Sequence, residues 1–440
     1  MTAMNQNRAS GANVAVHCNP RLPDGTAVLP GNCDGDIRSL RLGCSYAPID
    51  RTTRGAGHEL LLSADIWKRL AIPYDGIPLQ LRSGDKGEAI LGPTVAILYA
   101  GKPSRTSREF ARSFYESQEG NPGLFAVGFD EAIDWEQGVM EGYVLDNARG
   151  RLVPARFPIP AAIHLRWAIR REVIDELRKR TGGRVFNWVR NMSKWQFHSL
   201  LSQIPDLAEH LPETRLLGSF VALAGMLARH HTVFVKQVYG IQGAGVVRIK
   251  LGPSGCDLSY LAKGEMQDRT VPADAGLLPV LREILGQGRL IVQQGLDITG
   301  RQGRRLDFRV LVVRDAAGGW RAVHRHAKLA PDDRLAFMNK ANGADDADML
   351  EALTKHCGLG PQEATETAGA MTGLALRAAE ALAGPMHPLG ILGVDLARDA
   401  TTGRIFLLEA NTVPGWGYPD AVEADLARSM VDYVIALANE

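Results

Sequence analysis

Short apolar runs that end in turn residues, with helical spacing only in places, predict a chain built of strands and α/β units. Residues 1–36 are rich in Gly, Asn, Pro and Asp with no sustained period, which predicts a flexible leader. Residues 37–92 carry short runs punctuated by turns (IRSLRLGCS, HELLLSADIWKRL, IPLQLRSG, EAILG), which predict a small, mainly β module with one helical turn near Asp65–Leu70. From Pro93 the character changes. Thr94–Tyr99 (TVAILY) and Gly123–Phe129 (GLFAVGF) read as apolar strands on either side of a helix candidate at Ser107–Glu119. Gly142–Leu145 and Arg151–Phe157 read as further strands and Ile163–Arg180 as a two-faced helix. Such alternation predicts a parallel sheet over 93–190.

Beyond residue 190 the strands carry polar residues in telling places. Asn191 or Ser193 can cap a helix with Lys194 near its start. Thr232–Val238 (TVFVKQV) is a strand with Lys236 inside an apolar run, and a glycine loop, Tyr239–Gly245 (YGIQGAG), leads into a second strand, Val246–Leu251. Leu290–Leu296 (LIVQQGL) and Leu306–Val313 (LDFRVLVV) follow, the latter with Asp307 and Arg309 on one face. Ala322–Lys328 (AVHRHAK) and Phe337–Gly343 (FMNKANG) add basic and amide side chains, and Asp346–Cys357 and Gln362–Ala383 read as helices. The strands Ile391–Ala397 and Ile405–Leu408 form a hairpin across RDATTG. At its open end Glu409 and Asn411 share a face, and an even pairing register adds Asp395.

Composition removes some classes of function and leaves others. The 440 residues carry 50 basic and 49 acidic side chains, a net +1, so there is no field to gather nucleic acid or an anionic membrane. Five scattered cysteines without a C-x-x-C pair argue against a disulfide framework or a zinc site and fit a reducing compartment. No apolar run reaches the roughly 18–20 residues of a membrane span. The N-terminus lacks the apolar core of a signal peptide. The expectation is a cytoplasmic protein acting on small molecules, with a homodimer as the default assembly.

Two carboxylates and an amide oxygen are hard donors that suit Mg²⁺ or Mn²⁺ next to nucleotide phosphates; a strand ending in a polar turn would read the same. A lysine buried in a strand needs an anionic or hydrogen-bonding partner. Beside it, a glycine loop can wrap phosphates with backbone N–H groups, although an ordinary hairpin turn has the same composition. Asp307 and Arg309 fit either a cross-strand ion pair or a guanidinium aimed at a phosphoryl group.

Taken together, Lys194, Val235-Lys236-Gln237, Gly240-x-x-Gly243-x-Gly245, Gln293–Leu296, Asp307-x-Arg309, Asp395 and Glu409-x-Asn411 resemble the ATP-grasp superfamily. LLEANTVPG is similar to the metal-binding segment of D-alanine–D-alanine ligases. LDFRVLVV and FMNKANG resemble the glutathione-synthetase branch, and VFNWVRNMSKW with IPDLAEHLPET is most like the YheC/YheD group, some of whose members are named as spore-coat associated. Two departures stand out: Ser193-Lys194 replaces the usual Asp-Lys, and Gln237 replaces the proline after the strand lysine.

The resemblance implies an α/β ATP-grasp fold over 191–440, split into 191–295 and 296–440. A pre-ATP-grasp α/β domain at 93–190 and the small β module would precede it. It implies ATP and Mg²⁺ (or Mn²⁺) as cofactors, with ATP bound by Lys194, Lys236, Gly240, Gln242, Gly243, Gly245, Gln293, Gln294 and Leu296. Asp395, Glu409 and Asn411 would hold the metal, and Arg309 with Lys236 would act on the phosphoryl group. Asp307, Arg325, Lys328, Asn339 and Lys340 are the candidate substrate contacts. The implied activity is an ATP-dependent carboxylate–amine ligase using an amino acid or peptide, with a small-molecule kinase or a non-catalytic nucleotide-binding coat protein as the alternatives.

Overall fold

The computed structural model describes residues 11–440 apart from 32, 34, 35, 103–110, 113, 119, 167, 168, 189–191, 240–244, 263, 264, 331–344, 385–388, 416 and 417. The chain forms two compact units, Met1–Arg190 with Arg314–Gly319 and Trp416–Glu440, and Asn191–Val313 with Trp320–Gly415. Among the described residues no helix is long and apolar enough to cross a membrane.

The first unit holds two sheets. In the eight-stranded one, Ala12–Cys18 pairs in parallel with Glu59–Leu62 and antiparallel with Ile77–Ser83, while Thr26–Leu29 pairs with Glu59–Leu62 and Arg51–Arg54. This corrects the expected leader at 1–36. Val14 and Val16 point into the core with Leu60, Leu62 and Leu79, and with only Ala15 between them and the polar Asn13 and His17 on either side the period-two pattern is too short to show. The helical turn forms at Ala64–Leu70 and buries Ile66 and Leu70.

The second sheet of this unit is mixed, so the parallel expectation holds for only part of it. Thr94–Tyr99 runs parallel to Leu124–Asp134 and Ala162–Leu165, which in turn runs parallel to Val185–Phe186. Val139–Asp146 and Arg151–Pro158 add an antiparallel meander. The helix expected from Ile163 begins only at Arg171, because Ala162–Leu165 is buried throughout as a strand. A run of four residues buried on both faces does not reveal its period. The helix expected at 107–119 is helical where it is described, at 111, 112, 114 and 115 and in a 3-10 turn at Glu116–Gln118; residues 107–110, 113 and 119 lie outside the described residues. A C-terminal helix, Asp420–Asn439, packs on Thr94–Tyr99 and Ala162–Leu165, and Tyr433 meets Phe186 edge-on at 5.3 Å.

The second unit also has two sheets, and the alternation along their strands decides where chemistry can sit. The six-stranded antiparallel sheet runs Thr214–Leu216, Leu290–Gln294, Thr232–Gln237, Val246–Gly252, Gly255–Ala262, Glu265–Val271. Val233 and Val235 turn toward the helices Phe220–His230 and Leu277–Leu285, where Leu223, Leu227, Leu277 and Leu281 close the core. Phe234 and Lys236 consequently face the other way.

The five-stranded sheet runs Asp345–Asp348, Trp320–Leu329, Leu306–Arg314, Ile391–Arg398, Ile405–Asn411. Phe308, Val310, Ala327, Leu329, Val394 and Leu407 pack against the helix Pro361–Ala383, whose alanines at 364, 368, 375, 378 and 379 allow close approach. Asp307, Arg309, Lys328, Gly393, Asp395, Glu409 and Asn411 alternate with those residues or pair across from them. All of them therefore line the opposite face. Asp345–Asp348 is a strand rather than the start of the helix expected at 346–357. Asp348 then caps the following turn by accepting the Leu350 and Glu351 N–H groups.

Candidate functional site

Asp395, itself buried, is the centre of the sheet face turned away from the helix Pro361–Ala383. It lies directly opposite Arg309 on one neighbouring strand and Glu409 on the other, the even register that the sequence implied, with a bulge just beyond it. Arg309 clamps its carboxylate in bidentate fashion, Nε to Oδ1 at 2.7 Å and Nη2 to Oδ2 at 2.8 Å. Lys328, itself buried, reaches Oδ2 at 3.2 Å and Asp307 Oδ1 at 3.0 Å. Burial alone would raise the Asp395 pKa, but the two cations hold it well below the ordinary carboxylate range. Asp307 is shifted the other way: burial pushes its pKa up and Asp395 adds to the rise against the opposing pull of Lys328.

The two other lysines reach the same group from separate elements. Ser193 caps the helix Lys194–Leu201 in a full capping box with Gln196, and Lys194, the first helical residue, extends to within 3.6 Å of Glu409 Oε2. Its backbone N–H donates to the Val238 carbonyl, which ties this helix to the end of the strand Thr232–Gln237. Lys236 is partly buried and donates to Gln293 Oε1 at 2.6 Å, with the Phe234 ring 5.5 Å away. Burial and the neighbouring Lys194 push its pKa down to about 8, against the pull of Glu409 and Asp307. The cleft thus combines four cations, Lys194, Lys236, Arg309 and Lys328, with three carboxylates, Asp307, Asp395 and Glu409. That excess of positive charge in a desolvated place suits an anion.

Asp395, Glu409 and Asn411 also fit a divalent cation. Among the described residues no three His, Cys, Asp or Glu side chains converge on one point, so a set here consists of two carboxylates and an amide oxygen. All three are hard oxygen donors on adjacent strands. Asp395 Oδ1 accepts one hydrogen bond from Arg309 and keeps a second lone pair.

Other expected contacts fare differently. Arg325 bonds Thr372 of the covering helix, on the face that Ala327 and Leu329 bury, so period-two geometry separates it from Lys328 and removes it from the cleft. The N–H of Gln294, one of the residues expected to bind ATP, donates to the Glu213 carbonyl at 2.8 Å because Thr214–Leu216 pairs with this strand. Leu296 packs with Ala397 and Phe406. Gly245 has φ +74°, and a Cβ there would meet the Gln237 side chain at 2.5 Å, so glycine is required where Gln237 N–H donates to its carbonyl. Gly240, Gln242, Gly243, Asn339 and Lys340 lie outside the described residues.

Against known proteins, the YheC/D like ATP-grasp family matches residues 182–439. The chain belongs to this YheC/D-like ATP-grasp family. Its fold is therefore an ATP-grasp fold. Endospore coat-associated protein YheD of Bacillus subtilis is 24% identical over 341 residues, 74% of this chain and 73% of that protein. Endospore coat-associated protein YheC of the same organism is 23% identical over 223 residues, 50% and 60% of the respective chains. Among solved structures, D-alanyl-alanine synthetase A from Vibrio cholerae has a TM-score of 0.45 at 15% identity, covering 79% of this chain and 98% of its own.

Sequence reasoning overlooked three members of the cleft of this YheC/D-like chain. Thr214 fixes Gln293, Gly393 makes room for Arg309, and His326 stacks on His324 at 5.0 Å. Burial pushes the His326 pKa down to about 4; Asp346 opposes the shift, while His324, Arg309 and Lys328 add to it. The alternation along AVHRHAK was the available signal, since it sets His324 and His326 on the face of Lys328.

Proposed function

We propose that this chain is an ATP-dependent ligase that joins a carboxylate to an amine. The observation that carries the reading is the convergence of Lys194, Lys236, Arg309 and Lys328, each from a different element of one unit, on Asp395 and Glu409. A cluster of cations held beside hard oxygen donors is what a polyphosphate and its counter-ion require.

A carboxylate oxygen of the acid attacks the γ-phosphorus of ATP, the bond to the β,γ-bridging oxygen breaks, and ADP leaves, giving an acyl phosphate. The amine then attacks the acyl carbon, loses a proton and displaces inorganic phosphate. Lys194 and Lys236 hold the phosphate chain, and Arg309 offers charge to the phosphoryl group in transit. Asp395, Glu409 and Asn411 would hold Mg²⁺, which would supply charge neutralisation along the phosphates. The protein needs no nucleophile of its own, so rate comes from positioning and electrostatics.

The test is product analysis. Purified chain is incubated with Mg·ATP and pooled amino acids and small carboxylates, and products are read by mass spectrometry. The expected result is substrate-dependent ADP and phosphate with a new mass equal to acid plus amine minus water, lost in Glu409→Gln. A phosphorylated acceptor without condensation would replace the ligase with a kinase, and ATP left intact throughout the pool would count against either enzyme.

A further inference from the structure

Thr214, Gln293 and Phe234 form one row across three adjacent strands, since Gln293 is the register partner of both Thr214 and Phe234. Lys236, two residues beyond Phe234, shares their face. The hydrogen bonds along this row have a fixed direction. The Thr214 hydroxyl donates to the Pro212 carbonyl at 2.9 Å, which uses its single proton. Toward Gln293, at 3.0 Å, it can therefore only accept. The buried Gln293 amide must then point its Nε2 at Thr214 and its Oε1 at Lys236, which it meets at 2.6 Å. With the amide reversed, an NH₂ group would face the ammonium.

We infer that Thr214 is a positioning residue for the proposed reaction: by anchoring the Gln293 amide in one orientation, it keeps an acceptor under Lys236 and aims that ammonium into the cleft. The inference rests on the ATP-site reading of the cleft. It goes further by assigning function to a residue that touches no substrate. The partner is neutral, so the ammonium stays available to an anion rather than being neutralised in place. Lys194, Glu409 and Asp307 are the charged groups that act on Lys236 from the other elements.

An orientation argument predicts a pattern that simple destabilisation does not. A carboxylate presents an acceptor whichever way it turns, so the Gln293→Glu background should no longer need Thr214. Mg·ATP binding is measured by calorimetry on the full chain, on Thr214→Val, on Thr214→Ser, and on Gln293→Glu with and without Thr214→Val. Thr214→Val should weaken binding about tenfold, the effect expected when a charged group loses its hydrogen bond. Thr214→Ser should bind like the unaltered chain, and Thr214→Val should change affinity less than about twofold in the Gln293→Glu background. The alkaline limb of the binding pH profile should move to lower pH in Thr214→Val alone, because an ammonium without its acceptor loses its proton more readily. Equal binding by Thr214→Val, or the same loss in both backgrounds, overturns this inference while leaving the ATP site standing. No binding by the unaltered chain overturns both.

Discussion

At the residue scale, the cleft depends on side chains that compensate one another. Arg309 lies along Asp395 past position 393, where there is room for a Cβ but little more. A Cβ there would fall 3.4 and 3.5 Å from Arg309 Cδ and Nε and 3.3 Å from Pro414 Cβ. Gly393→Ala should therefore be tolerated, with turnover within about threefold, whereas the branched methyls of Gly393→Val displace the guanidinium and should lower turnover by at least about tenfold. Steady-state ADP release checks this, and wild-type rates in Gly393→Val would show that Arg309 needs no such room. The same compensation explains why the sequence left Asp307 and Arg309 open between an ion pair and a phosphoryl contact. Arg309 does form an ion pair, but with Asp395, 86 residues away, and Lys328 takes Asp307. Spacing within one strand does not reveal a partner on the next strand.

At the element scale, the short strand Thr214–Leu216 braces the C-terminal end of Leu290–Gln294. Glu213, just before it, gathers Arg215, Arg229 and His230 at 2.8–2.9 Å, while its backbone pairs with Gln294. Burial works against the Glu213 carboxylate, yet His230 and the two arginines hold its pKa down at about 2. Its stabilising contribution is complete above the ordinary value near 4.5 and is lost as pH falls from there toward about 2. Thermal melts across that range should show an acid-side loss that Glu213→Gln flattens, and that variant should melt lower at pH 7. A superimposable acid limb in the two proteins would contradict the bracing role.

Legibility also followed the element. Thr94–Tyr99 and the helix at Pro361–Ala383 were plain because a continuous apolar run or a long 3.6 period spells them out. Ala12–Cys18, Ala162–Leu165 and Thr214–Leu216 were not, being short and defined by long-range pairing. Asp395, Glu409 and Lys236 could be read from the sequence because each is a polar residue that breaks an apolar strand. Thr214 and Gly393 could not, because their importance lies in what they meet across the sheet.

At the scale of the whole molecule, each unit has buried cores of its own, the first around Leu70, Leu98 and Leu165, the second around Leu374, Val310 and Val394 and, on its six-stranded sheet, around Leu223, Val235 and Leu281. The C-terminal helix returns to the first unit, so chain order and unit membership do not coincide. Calorimetric unfolding should accordingly resolve two transitions, with Leu70→Ala lowering one and Leu374→Ala the other, each by a core truncation of about 2–5 kcal/mol. Mg·ATP should raise only the transition sensitive to Leu374→Ala, by mass action on the unit that contains the cleft. A single transition shifted by both substitutions would contradict two independently cooperative units.

The binding and turnover expectations rest on the cleft being a nucleotide site, and direct binding tests that best. Titration calorimetry of Mg·ATP should give one-to-one binding to the unaltered chain, with affinity reduced at least about tenfold in Lys236→Met, which removes the charge and its hydrogen bond while keeping an apolar side chain of similar length. Proton uptake should accompany binding above about pH 8, where Lys236 is partly deprotonated before the phosphates draw it back to the charged form. Undiminished affinity in Lys236→Met, or no binding by the unaltered chain, would contradict the account.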